Sequence, residues 1–304
     1  MIADPAFYVE SKFGVALKKV GRTEWAGPCP WCGGDDRFHV WEKGNYWCRP
    51  GPGHCAKSGW LDELEKDAKP LTPQEKLELR VAALERKQKD HERRLSLLER
   101  MHESTDHLTY HQNLERNVNA VDYWLNEGMN AHTIHDYQLG FCFSCPTAPS
   151  YASYTIPVMY HGKLFNIRHR LAQPPSNGGK YRPHMAGLPA MIFNADHLDN
   201  DTPDCLILEG EKKSLIVTQK TGLTNIATMG AQSFKQAWAA RLDKFSLVYV
   251  LFDPDAIERA AVVASYFGKR GRVVELPFKA DDFFVKYSGD ARDFEAYLDR
   301  ARPA

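Results

Sequence analysis

Polar and apolar positions change rhythm along this chain, and each rhythm predicts a different element. Residues 37–41 (RFHVW) and 46–48 (YWC) read as two strands of a hairpin about a Gly44-Asn45 turn. LTPQEKLELRVAALERKQKDHERRLSLLERMHES, residues 71–104, has no glycine and one early proline. It predicts a long helix with Thr72 as N-cap and Pro73 at the first helical position. Its apolar positions are sparse between Leu84 and Leu95, which predicts a solvated helical linker rather than a coiled-coil seam. Residues 117–141 carry a helix-glycine-helix rhythm ending at Leu139-Gly140-Phe141. Tyr154–Tyr160 and Lys163–Arg168 predict a hairpin around His161-Gly162.

From residue 204 onward short apolar strands alternate with helices. The strands are Cys205–Leu208, Asn225–Thr228, Leu247–Phe252 and Arg272–Leu276; the helices are Lys213–Thr221, Ser233–Lys244 and Ile257–Gly268. That order predicts a buried parallel sheet, whose functional edge lies at the carboxyl ends of its strands. Glu209 follows one strand, and Asp253-Pro254-Asp255 follows another. Asp253 and Asp255 point the same way if the chain is extended there; Asp255 can equally cap the next helix. Carboxylates gathered at one edge repel each other, and a hard divalent cation, Mg²⁺ or Mn²⁺, offsets that repulsion. Upstream, Arg168, Arg170, Lys180 and Arg182 form a basic patch of the density that phosphates need; a solvated basic loop is the plainer reading.

Composition narrows the partners. The 304 residues suit two or three small domains. Lys plus Arg and Asp plus Glu are 39 each, so any nucleic-acid face is local. No signal pattern and no apolar run of membrane-spanning length is present, and no G-x-x-x-x-G-K-[ST] motor motif. Seven cysteines, odd in number and unevenly spread, argue against a disulfide framework and for a reducing cytoplasm. Four of them, Cys29, Cys32, Cys48 and Cys55, share one window as C-x2-C, fifteen residues, C-x6-C. Two knuckles offering thiolates to one structural Zn²⁺ are the reading, with His54 as the alternative to Cys55. Arg37, Phe38, His39, Trp41 and Trp47 interleave cations with aromatics, as template bases and phosphates require, although some of these rings belong to the small core. Cys142 with Cys145, and His102, His107, His111, His132 and His135, have no consistent ligand spacing and read as structural.

CPxCGGxDRFxV, YWC and CxxSGW resemble the N-terminal zinc ribbon of DnaG-type and phage primases. IPVxxxGKLxxIRHR, GGKYRP and LPAMIFNAD are similar to the primase basic subdomain, which makes Arg170 and Lys180, then Arg168, the nucleotide-phosphate residues. EGEKKSL at Glu209 and DPD at Asp253 and Asp255 resemble the Toprim domain, with Glu258 where the family usually has glycine. The third acidic position falls on Asp281 or the adjacent Asp282. The resemblance implies an α/β fold: a Toprim-type parallel sheet (201–304), an N-terminal zinc-ribbon β domain (1–66), a helical linker (67–105) and an α+β basic subdomain (106–200). It implies DNA-directed RNA primer synthesis, with Glu209, Asp253 and Asp255 catalytic, and with Asp281 joining them on Mg²⁺ or Mn²⁺. The implied partners are single-stranded DNA, ribonucleoside triphosphates and a replicative helicase, in trans or as a missing C-terminal domain. The alternatives are a RecR-like binding protein or a Toprim nuclease.

Overall fold

Three sheets carry the fold, and each takes its strands from one stretch of the chain. The structure, a computed structural model, describes residues 4–63, 73–176 and 179–303. The chain divides into two compact units, residues 1–93 and 94–304.

The first unit opens with α1 (Pro5–Phe13), which the sequence reading did not anticipate. Asp4 caps it, its carboxylate accepting the Phe7 N–H at 3.0 Å, with Pro5 in the first turn. A five-stranded antiparallel sheet follows in sequence order: β1 (Lys18–Lys19), β2 (Glu24–Cys29), β3 (Gly33–Trp41), β4 (Asn45–Cys48) and β5 (Ser58–Trp60). Gly33 and Gly34 have φ of 68° and 85°, as the knuckle requires. Phe38, Val40, Tyr46 and Cys48 alternate onto one face and pack with Val9, Phe13 and Leu61. The helix expected after Leu71 is α2 (Pro73–Glu103), within which the division between units falls. Its expected cap, Thr72, and the expected boundary at residues 66–67 lie outside the described residues.

The second unit begins with α3 (Asp106–Glu115), α4 (Val118–Asn126) and α5 (Ala131–Asp136). A four-stranded antiparallel sheet follows: β6 (Gly140–Cys142), β7 (Ser153–Tyr160), β8 (Lys163–Leu171) and β9 (Tyr181–Pro183). Then come β10 (Asp204–Glu209), α6 (Glu211–Thr221), β11 (Asn225–Thr228), β12 (Leu247–Leu251), α7 (Ile257–Ser265), β13 (Gly271–Val273), α8 (Ala280–Val285), α9 (Ala291–Asp299) and β14 (Arg302–Pro303). Their sheet runs β11-β10-β12-β13-β14, parallel except for β14. The strand order reverses at β10, so the crevice between the carboxyl ends of β10 and β12 is a topological switch point. One apolar core joins both sheets: Trp124, Leu139 and Ile156 pack with Leu208, Ile216 and Phe283.

The helix expected over Ser233–Lys244 is instead two short 3₁₀ segments, Ala231–Ser233 and Gln236–Leu242. Arg259, on α7, donates to the carbonyls of Ala231 and Phe234 at 3.3 and 3.2 Å, taking acceptors that an α-helix would use. The last parallel strand is also shorter than expected, ending at Val273.

A buried histidine pair closes the antiparallel sheet against α3. His169 Nδ1 lies 2.8 Å from Ser153 Oγ and its Nε2 lies 3.2 Å from His184 Nδ1; His184 Nε2 is 3.0 Å from the Asp106 carboxylate. Burial holds His169 down to about 3, and burial outweighs Asp106 in lowering His184. Burial lowers His107 and His197 as well. Each of these rings is harder to protonate in the folded chain than in the unfolded chain, which takes protons below about pH 6.5. Stability is therefore present above that pH and is lost as pH falls below it, His169 alone contributing about 1.4 kcal/mol per pH unit down to about 3. Thermal unfolding between pH 7.5 and 5 is expected to show a falling midpoint, with a shallower slope in His169→Gln. Parallel slopes in the two proteins would contradict the assignment.

Candidate metal centre and active-site cleft

The four clustered cysteines converge. Cys29 ends β2, Cys32 lies in the knuckle before β3, Cys48 ends β4, and Cys55 comes from the loop before β5. Cys29 and Cys55 Sγ are 3.5 Å apart, Cys32 and Cys48 Sγ are 3.6 Å apart, and all four sulfurs lie within 4.8 Å of one another. Tetrahedral zinc at about 2.3 Å from each thiolate needs sulfurs about 3.8 Å apart. Burial pushes the Cys29 and Cys48 thiols up, so thiolates there call for a cation, and the donor set fits zinc. His54 lies outside the cluster, its Nδ1 2.6 Å from the Arg49 carbonyl oxygen; the geometry selects Cys55. Cys142 and Cys145 are buried in the other unit, where their thiols meet Ser144 and Thr147.

Strand register sorts the aromatic residues by face. Trp47 pairs with His39 and Asn45 with Trp60, so His39, Trp41, Trp47 and Trp60 share the face opposite the core. Arg37 has the same alternation phase. Phe38 corrects the sequence reading: it is wholly buried against Trp31 and Tyr46, and no base reaches its ring. His39 is largely committed, its Nδ1 2.7 Å from Glu24 with 13% of its side chain exposed. Trp47 and Trp60 are open, and Trp60 was missed in the sequence, although period two from SGW would have placed it.

In the second unit, a cleft of about 320 Å³ opens between β8–β9 and the carboxyl edge of the parallel sheet. Glu209 is the last residue of β10. Gly210, with φ 91°, lets the chain turn there into α6, a conformation that side chains rarely adopt. Asp253 follows β12 and is buried. On β8, period two sends Arg168 and Arg170 to one side, with Ile167, His169 and Leu171 on the other. Arg168 Nε is 3.0 Å from Glu211, both nearly buried, and its guanidinium lies over Tyr181. Arg170 lies over the Tyr123 ring and 3.9 Å from Glu127. Burial and the neighbouring Arg170, Lys279, Lys212 and Lys213 lower Lys180, the signature of a cleft crowded with cations.

The cleft contains Glu209, Asp253 and Asp281 but not Asp255. Pro254 opens a 3₁₀ turn directly after Asp253, and Lys279, which contacts Asp253, also feels the Asp255 charge. Asp255 is exposed on an adjoining groove with Pro277, Phe278 and Tyr287, and it does not cap α7. Asp281 is buried in the cleft, whereas Asp282 pairs with Lys286 at 2.9 Å outside it. Arg182 also lies outside, its guanidinium donating to the carbonyls of Gly179 and Tyr181.

Sequence reading overlooked three lysines. Lys213 pairs with Asp253 Oδ1, and Lys279 Nζ is 3.1 Å from Asp253 Oδ2. Lys212 Nζ is 2.6 Å from Asp281 Oδ2 and also meets Glu127. Burial alone would lift the Asp281 carboxyl, but Lys212 outweighs it and holds it below the usual range. A signal was available: EKK fills the first turn of α6, where the helix dipole disfavours cations, so those lysines need anions. Two anionic groups remain for a divalent ion. Glu209 Oε2 accepts only the Asp253 N–H at 3.4 Å among the described residues, and buried Asp281 Oδ1 has no hydrogen-bond partner. With Asp253 they supply the hard oxygen donors that Mg²⁺ or Mn²⁺ prefers, while the three carboxylates do not close to within 4.8 Å of one another.

No protein-family model matches the sequence, and no curated protein does. Solved structures do match. The chain shares the fold of DnaG primases. The zinc-binding and RNA polymerase domains of the Aquifex aeolicus primase are 16% identical, with TM-score 0.53, covering 99% of this chain and 86% of that one. A DnaG primase catalytic domain bound to ssDNA is 14% identical, with TM-score 0.54 over 71% of this chain and 81% of that one. The RNA polymerase domain of Mycobacterium tuberculosis DnaG, in complex with double-stranded DNA, is 14% identical, with TM-score 0.53 over 66% and 82%.

The sulfur cluster predicts about one zinc per chain in purified protein by metal analysis. Cys32→Ser is expected to loosen or lose it and to abolish the unfolding transition of residues 1–63. Zinc-free wild type that folds normally would remove the assignment.

Proposed function

We propose that the chain is a DNA primase that makes short RNA primers on single-stranded DNA. The observation that carries this reading is a single cleft in which Glu209, Asp253 and Asp281 face Arg170 and Lys180, in a chain sharing the DnaG fold across both units. Arg170 and Lys180 grip the triphosphate of the incoming nucleotide. Arg168, locked to Glu211, holds β8 and Tyr181 in place rather than reaching outward. Glu209, Asp253 and Asp281 would hold Mg²⁺ or Mn²⁺, which supplies charge neutralisation at the reacting phosphate and acidifies the attacking 3′-hydroxyl. Glu209, free of a direct ion pair, is also the group placed to take a proton. Catalysis then rests on positioning and electrostatics. The cysteine unit, through Trp41, Trp47 and Trp60, stacks template bases and selects where synthesis starts.

A phage or mobile-element origin fits the CGGxDRF resemblance. The setting is then bacterial cytoplasm, with a replicative helicase acting in trans or as a further domain. Among the described residues no helix is long and apolar enough to cross a membrane.

Incubation with an oligonucleotide, Mg²⁺ or Mn²⁺ and labelled ribonucleotides tests the proposal. Growing products are expected; shortened DNA would indicate a nuclease, and a mobility shift alone a binding protein. Asp253→Asn should abolish synthesis while leaving template binding intact. Arg170→Ala should raise KM for nucleotide about tenfold, the worth of one charge-assisted hydrogen bond. Synthesis by Asp253→Asn at the wild-type rate would break the active-site assignment.

A further inference from the structure

We propose that the Lys213 ammonium holds the place of a second divalent cation, so that the cleft takes one such ion and not two. The inference rests on the nucleotidyl-transfer reading of the same cleft.

Asp253 is buried in the cleft beside Glu209, and both of its oxygens already carry an ammonium, Lys213 on Oδ1 and Lys279 on Oδ2. The two lysines are not equivalent. Lys279 is 53% exposed and can swing into solvent when an ion arrives. Lys213 is 14% exposed, and its backbone is fixed in the first turn of α6. A cation there opposes the helix dipole and is retained only with an anion beside it. Releasing it from Asp253 would leave a nearly buried charge unpaired.

Ligands for a second ion are also missing. Asp255 lines the adjoining groove rather than the cleft, and Asp281 Oδ2 is taken by Lys212. Six cationic side chains already line the cleft against four carboxylates. One divalent ion still finds Glu209, the orphaned Asp281 Oδ1 and the Asp253 oxygen that Lys279 vacates. A second would add two charges where cations are already in excess. The ammonium brings one positive charge and three N–H donors, enough to neutralise Asp253 and meet a phosphate oxygen. It brings no Lewis acidity.

Mn²⁺ binding to zinc-loaded protein, read by titration and by electron paramagnetic resonance, tests this. The ions that count are those lost in Asp253→Asn. The wild type should bind one in the cleft, with an uncoupled spectrum. Lys213→Glu, which exchanges the ammonium for a ligand, should bind two and show the exchange coupling of ions about 4 Å apart. If that variant fails to fold, Lys213→Met removes the charge at similar length and should bind its single ion about tenfold tighter, one charge contact being worth that much. Two ions in the wild type, or none, overturns the proposal, as does unchanged stoichiometry and affinity in the variants. Two ions with intact primer synthesis would sink this inference alone; one ion without synthesis would sink only the functional reading.

Discussion

A carboxylate buried at the end of a strand needs positive charge, and the cleft is arranged around how Asp253 obtains it. β12 delivers Asp253 to the switch point of the parallel sheet, beside Glu209 at the end of β10. Burial there is costly for a lone anion. Lys213 from α6 and Lys279 from before α8 meet the requirement from opposite oxygens. A polar seam continues outward through Lys212 to Asp281 and Glu127, and Arg168 with Glu211 closes the side under β8. Because one apolar core underlies both sheets, the strand and helix ends that carry or flank these groups are held in place. Such a site is set for anions: a polyphosphate entering it meets cations already in place, with little reorganisation to oppose binding.

The amino-terminal unit solves a different problem with the same economy of residues. Its sheet buries few large side chains, Phe38 and Tyr46 chief among them, too few for a domain of that size to rely on apolar burial alone. Four sulfurs brought within bonding distance of one ion supply the remainder. On the opposite face Trp47 and Trp60 stay exposed.

Much of this was legible in the residues, for stated reasons. Period two fixed which of Arg168, Arg170 and their neighbours share a side, and apolar strands ending in Glu209 and Asp253 marked the functional edge. The cysteine spacing survived as a cluster. What failed depended on contacts that sequence spacing does not encode. Asp255 falls on the adjoining groove, Pro254 opening a 3₁₀ turn directly after Asp253. The helix expected over 233–244 is short 3₁₀ segments, with Arg259, distant in sequence, on the Phe234 carbonyl at its start. Phe38 looked like a stacking residue until β3 and β4 registered against each other and put it in the core. The lysines of EKK were visible but unread, since their meaning lies in an unfavourable helix position that only a facing anion explains.

On the proposed reading the cleft binds the nucleotide triphosphate, with Asp253 at the reacting end. A crystal of the chain soaked with Mn²⁺ and a non-hydrolysable ribonucleoside triphosphate tests it most directly, through anomalous scattering from manganese and density for the phosphates. The account predicts phosphates against Arg170 and Lys180, with manganese beside Asp253 and Glu209. Triphosphate bound elsewhere, with Lys213 and Lys279 still closed over Asp253 and no manganese near it, would contradict the account.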